Sequence, residues 1–99
     1  MITFYRTVAI APGKLNGGLA FAREIVAYVK NKTGKDVKIA MPIGGNPNRI
    51  GWTAQYENLA AYEEVMTKLF NDSKYQEIIA KAAENWVPGS VKDELWRNL

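Results

Sequence analysis

Ile2-Thr3-Phe4-Tyr5-Arg6-Thr7-Val8-Ala9-Ile10-Ala11, closed by Pro12-Gly13, is the stretch that decides the fold. β-Branched and aromatic residues dominate it, and these suit a pleated, packed surface. Ile2, Phe4, Arg6, Val8 and Ile10 share one side; Thr3, Tyr5, Thr7, Ala9 and Ala11 share the other. Neither side is strongly charged, so the strand is expected to be covered on both faces and central in its sheet. Pro12 offers no ladder donor and Gly13 permits a turn, so the strand stops there.

The chain alternates from that point. A helical stripe over 15–33 joins Leu15, Leu19, Ala22, Ile25, Val26 and Val29, with Asn16 as the expected N-cap and Gly34 just past the end. Gly17 and Gly18 read as a loose helix start or as a place where a ligand or a backbone comes close. Val37 to Ile43 alternates as a second strand, and Pro42 suits a sheet edge. Gly44-Gly45-Asn46-Pro47-Asn48 is a dense turn signal before a third strand at 49–57. Trp52, Ala54 and Tyr56 share one of its faces. Asn58 caps a helix bearing Leu59, Tyr62, Val65, Met66 and Leu69. Ser73-Lys74-Tyr75-Gln76 has the form of a capping box opening another, whose stripe runs from Tyr75 to Trp86. Residues 90–99 read as a final strand or as a helical tail, since Ser90-Val91-Lys92-Asp93 resembles a weak helix start; the strand is preferred because the third strand otherwise lacks a partner for closing the sheet.

Length and composition set the frame. Ninety-nine residues make one domain, 1–99, and 47% hydrophobic with 23% charged residues is an ordinary globular balance. The order β-α-β-β-α-α-β gives an α+β class: a ferredoxin-like four-stranded antiparallel sheet with helices on one face. That arrangement leaves the other sheet face bare. Large apolar side chains on a bare face call for a partner, so a homodimer through the sheet face is expected.

There is no cysteine and no histidine. Disulfides, thiolate chemistry and the commonest metal ligand are therefore missing, and no cofactor is expected. The net charge of +3 argues only weakly for nucleic acid. Lys30, Lys32, Lys35 and Lys38 form the one basic cluster and read as a solvated helix end. No apolar run approaches the roughly 20 residues of a membrane span. The opening residues read as a strand and not as a signal peptide, so a cytoplasmic protein is expected.

Arg6-Thr7-Val8-Ala9-Ile10-Ala11-Pro12-Gly13-Lys14 and Gly51-Trp52-Thr53-Ala54-Gln55-Tyr56-Glu57-Asn58-Leu59-Ala60-Ala61-Tyr62-Glu63-Glu64 resemble stretches of the NIPSNAP-like members of the dimeric α+β barrel superfamily. Phe4 and Val8 stand where that family often has an acidic residue and a tyrosine. The resemblance implies two sheets facing each other around a cavity. It also implies relatives as different as cofactor-independent monooxygenases, haem-degrading enzymes and proteins without known activity, so fold does not choose function.

Candidate ligand-binding residues follow. Arg6 interrupts an apolar strand face and reads as a structural ion pair with Glu57 or Asp93, or as an anchor for an anion or carbonyl. Trp52 and Tyr56, with Tyr5 beside them, either line a pocket for a flat molecule or pack as core. Arg49 reads as a cavity guard or a loop cation. Trp96 covers a partner subunit or a barrel mouth. The leading functional expectation is a small aromatic or apolar molecule bound or transformed in the barrel, monooxygenase-like. Haem degradation fits less well without an axial histidine. The alternatives are a non-catalytic interaction dimer and, less favoured, an RNA-binding module: Arg49 to Tyr56 loosely echoes the aromatic strand of RRM domains.

Overall fold

The computed structural model describes residues 1–99. The opening strand, β1, spans Ile2–Ala9, and a helix, α1, follows at Leu15–Thr33. Two strands come next, β2 at Lys38–Ala40 and β3 at Arg49–Tyr56. Helices α2 (Leu59–Phe70) and α3 (Ser73–Ala82) lead through one 3-10 turn, Ala83–Asn85, to β4 at Lys92–Arg97. The sheet is antiparallel, with order β2-β3-β1-β4, which is the ferredoxin-like arrangement. No helix is long and apolar enough to cross a membrane.

β1 is central, as its two uncharged faces imply, and pairs with β3 over its whole length, from Ile2 opposite Tyr56 to Ala9 opposite Arg49. It ends two residues before the expected limit. Beyond Ala9 the backbone leaves the ladder: Ile10 N–H donates to Asn48, Ala11 N–H to Asn85, and Val87 N–H returns to Ala9. The final strand is present, but it lies beside β1 and not beside β3. β3 already has β1 and β2 as neighbours, and β4 takes the far edge of β1, where eight residues offer a longer ladder than the three of β2. β2 keeps only three paired residues of the expected seven, because Pro42 and the glycine turn that follows carry the chain off the edge.

The helix ends show where local signals held and where they were displaced. Asn58 caps α2 by accepting from Ala61 N–H at 2.8 Å. Gly34 closes α1 in the left-handed conformation, φ 77°. Asn16 is not a cap, since α1 begins at Leu15 after Lys14 with no side-chain cap. The capping box at Ser73 also gives way. Asp72, one residue earlier, accepts from the N–H groups of both Lys74 and Tyr75.

Asp72 does more than cap. Its side chain is 7% exposed, accepts the Tyr28 hydroxyl at 2.7 Å and lies 3.6 Å from Lys32 Nζ, so it ties α1 to the start of α3. The Tyr28 hydrogen bond, with the two backbone donors and Lys32, holds its carboxyl below the usual range. A depressed folded-state value means that this stabilisation is complete above the unfolded-state value of about 4 and is lost as pH falls through the folded one. The urea midpoint of the wild type is therefore expected to drop on acidification below about pH 4. Asp72→Asn should show a smaller drop, measured by denaturation at paired pH values.

Gly17 and Gly18 are not a loose start. The backbone of α1 meets the Asn85–Trp86 segment here: a Cβ on Gly17 would collide with the Asn85 side-chain oxygen, and one on Gly18 would lie 3.1 Å from the Trp86 ring. The ring cannot easily retreat, being wedged near-perpendicular to Phe21 and to Trp52. Gly18→Val is expected to destabilise by about 1–3 kcal/mol through overpacking, read by urea denaturation. An unchanged midpoint would show that Trp86 moves freely.

The core lies between the helices and one sheet face. Ile2, Phe4, Val8, Ile50, Trp52, Ala54 and Tyr56 are buried there, with Ala22, Ile25 and Val29 of α1 and with Leu69 and Ile78 above them. The bare face carries Tyr5 and Trp96 as its aromatics, 45% and 58% exposed. Around them are threonines and charged residues, and a polar knot in which Thr3 Oγ1 lies 3.0 Å from Gln55 Oε1 and 3.1 Å from Asn98 Oδ1, its one proton able to go to either. Trp52 and Tyr56 are on the covered face, so the bare face is less apolar than the sequence reading supposed.

The lysine cluster is largely tied down. Lys30 pairs with Asp36 at 2.9 Å and Lys32 with Asp72. Lys35 donates to the Gln55 carbonyl at 2.6 Å and sits 4.3 Å over the Tyr56 ring.

Candidate functional site

Three of the six sequence candidates converge. Arg6 on β1 and Trp52 on β3 are direct cross-strand neighbours, and Tyr56 lies on the same face two pairs along. Above them, α1 supplies Phe21, Ile25 and Val29; α2 supplies Met66 and Leu69; α3 supplies Tyr75 and Ile79. These side chains do not close fully on one another. They leave a cavity of about 160 Å³, lined by hydrophobic residues with Arg6 as the single exception. A dry apolar cavity of roughly 150 Å³ is known to accept benzene, so the space suits one ring and not a fused macrocycle.

This cavity lies between the helices and the sheet of a single chain, on the opposite side of the sheet from the face that a second sheet would cover. Tyr5, Arg49 and Trp96 belong to the opposite, bare face and do not reach it. Arg49 Nε donates to the Asn46 carbonyl at 3.2 Å, which makes Arg49 a brace for the glycine turn. Trp96 Nε1 donates to Glu94 at 3.3 Å.

Of its two expected partners, Arg6 takes Asp93. Nε donates to Oδ1 at 2.6 Å and Nη2 to Oδ2 at 2.8 Å, a bidentate pair set up by the β1–β4 register. The Asp93 bond outweighs the burial of Arg6 and raises its pKa, so the guanidinium stays charged. Asp93 leaves Nη1 uncommitted, while the Phe4 ring lies 5.6 Å from the guanidinium carbon.

Arg6 also marks a junction. It lines the cavity and a more open groove between α2 and α3, together with Met66, Leu69, Tyr75 and Ile79. Tyr62, Thr67, Phe70 and Gln76 form the outer part of that groove. The groove adjoins the cavity through these shared residues.

The tyrosines around this junction are weak acids here. Burial pushes Tyr56 up to about 12, and burial raises Tyr62 and Tyr75 as well. All three are neutral hydroxyls near pH 7, able to donate and unable to act as bases. Trp52 carries a second anomaly: its indole Nε1 is buried without any hydrogen-bond partner. Phe21 and Trp86 stand at 83° to its ring, offering at best a weak π acceptor.

Sequence reading missed Phe21, Tyr75 and Trp86. Tyr75 was visible as the first residue of an apolar stripe. Phe21 falls beside the α1 stripe and carried no signal. Trp86 was assigned to a helix end, whereas it follows the 3-10 turn in extended backbone and so swings in over Gly18.

No group of three or more acidic side chains gathers where it could hold a metal ion. Trp52 and Tyr56 are 7% and 2% exposed, so neither ring is free to stack on bases as the RRM reading required.

No protein-family model matches the sequence, and no curated protein matches it. Solved structures do match in shape. An uncharacterised NIPSNAP domain protein from Burkholderia xenovorans superposes with a TM-score of 0.84 at 13% identity, over 100% of this chain and 95% of that one. A NIPSNAP family protein of unknown function from Agrobacterium tumefaciens gives 0.81 at 16% identity, over 97% and 86%. Another NIPSNAP family protein from the same organism gives 0.77 at 20% identity, over 99% and 85%. With one ferredoxin-like sheet, helices on one face and this set of structural neighbours, the chain has a NIPSNAP-like fold.

Proposed function

We propose that the protein binds a small apolar molecule, of about one ring, in the cavity between its helices and its sheet. The single observation that carries this reading is the cavity itself. Protein interiors are packed to near crystal density, and voids larger than a water molecule are few. An unfilled apolar space forfeits dispersion contacts and destabilises by roughly 24 cal/mol per Å³ in mutational series. A partly open apolar space of about 160 Å³ in a chain of 99 residues gives up part of that packing and leaves apolar surface to water unless a ligand covers it. Binding is better supported than turnover. A cofactor-independent oxygenase would have to deprotonate its substrate, and the neutral tyrosines do not serve as bases, while Asp93 is held by Arg6. Heteronuclear NMR during titration with ethylbenzene tests the reading. Saturable shifts centred on Val29, Trp52 and Tyr75 are expected; shifts spread evenly over the chain, or none, would refute it.

The same reading includes a homodimer formed through the bare sheet face. Tyr5 and Trp96 stand exposed there among the short side chains Thr7, Ala9, Ala40 and Gly51, which allow a second sheet to approach. The NIPSNAP-like fold and two-fold pairing as the commonest assembly add support. Sedimentation equilibrium is expected to return a dimer that Trp96→Lys weakens. A monomer at high concentration would exclude the pairing and leave the cavity reading intact.

A further inference from the structure

We infer that the ligand is a neutral molecule bearing a hydrogen-bond acceptor, such as a ketone, ester or quinone oxygen on a single ring, and that the site rejects the corresponding carboxylate. The inference rests on the binding reading above and narrows its ligand class.

Donors and acceptors around the cavity do not balance. Trp52 Nε1 is a buried donor with no partner. Tyr56 lines the cavity, and Tyr75 stands where cavity and groove meet with its hydroxyl oxygen against the Arg6 guanidinium; each phenol keeps its own proton to donate. Arg6 keeps Nη1 after Asp93 has taken Nε and Nη2. Against these, the acceptors are few. Asp93 is committed to Arg6, and Glu63 belongs to the outer groove alone. A site with surplus donors is completed by a ligand that accepts.

The charge of the ligand follows from the same pair. The guanidinium of Arg6 is the cavity's only cation, and the bidentate carboxylate of Asp93 cancels it. A ligand carboxylate would then be a second anion against one cation in an apolar space, with no further charge to offset its desolvation. A neutral carbonyl needs no such offset. The apolar lining takes the ring, and the size of about 160 Å³ limits it to one.

Three probes of matched size separate the possibilities: ethylbenzene, acetophenone and benzoate, each titrated by calorimetry at pH 7. Acetophenone is expected to bind about tenfold more tightly than ethylbenzene, the factor a satisfied buried donor supplies. Benzoate is expected to bind at least tenfold more weakly than acetophenone. In 15N-edited spectra the Trp52 indole resonance should move downfield with acetophenone, as a newly hydrogen-bonded N–H does, and show no such downfield move with ethylbenzene. Trp52→Phe and Tyr75→Phe each remove a donor and keep a ring. At least one should bring the two affinities within about twofold while ethylbenzene still binds.

Ethylbenzene binding as tightly as acetophenone, or benzoate binding best, would overturn the inference and leave the binding reading standing. Binding of none of the three would overturn both. The wild-type comparison decides the question even where a variant fails to fold.

Discussion

Trp52→Ala is expected to cost about 3–5 kcal/mol of folding stability, a large share of the roughly 5–15 kcal/mol that a domain has to lose. Trp52 is 7% exposed at the centre of the sheet, opposite Arg6, with Phe21 and Trp86 set edge-on against it at 6.0 and 6.1 Å. Its removal joins a new void to one of about 160 Å³ already present, so the neighbours have little with which to collapse. That places the cost toward the upper end of the range for large-to-small changes. Chemical denaturation by circular dichroism checks it. A loss below about 1 kcal/mol would show that Trp52 is not the keystone of this face.

Ile79→Phe is expected to do the reverse: to abolish ligand binding while leaving stability nearly untouched. Ile79 is half-buried on α3 and lines both the cavity and the groove that adjoins it. A phenyl ring there projects into space that already exists. The usual overpacking cost of about 1–3 kcal/mol is then offset by regained dispersion contacts. Ethylbenzene affinity should fall at least tenfold, with the urea midpoint shifted by the equivalent of less than about 1 kcal/mol. Wild-type affinity in a well-folded Ile79→Phe protein would place the ligand elsewhere. Together the two substitutions separate the packing role of this region from its binding role.

Much of the fold could be read from alternation and punctuation. The opening strand, the stripe of α1, the Asn58 cap and the glycine after Thr33 follow from local rules, and the structure contains them; the final strand is present too, but it was inferred from sheet closure and lies beside β1 instead of β3. Alternation also sorted Arg6 from Tyr5 and Trp52 from Thr53 onto opposite faces. It could not say which face the helices would cover. On β1 both faces are uncharged apart from Arg6, so the choice is made by the crossovers and by the stripe of α1, which are long-range features.

The candidate site was legible only in part, for the same kind of reason. Arg6 announced itself as a cation among apolar neighbours, and Asp93 was one of two partners considered; the β1–β4 register selects it. The cavity had no signature at all. It is a gap between three stripes, set by how α1, α2 and α3 stand off the sheet, and the Gly17–Gly18 seat for Asn85 and Trp86 helps to fix that spacing. Trp86 was misplaced because a helical stripe was extended through residues that tighten into a 3-10 turn.

The central claim is that the space between helices and sheet is a genuine, fillable cavity. The most direct test is a crystal structure of the protein under xenon pressure. Xenon density enclosed by Val29, Trp52, Leu69 and Tyr75 is the expected result. The contradicting result is a collapsed interior, with those side chains in contact and no xenon among them.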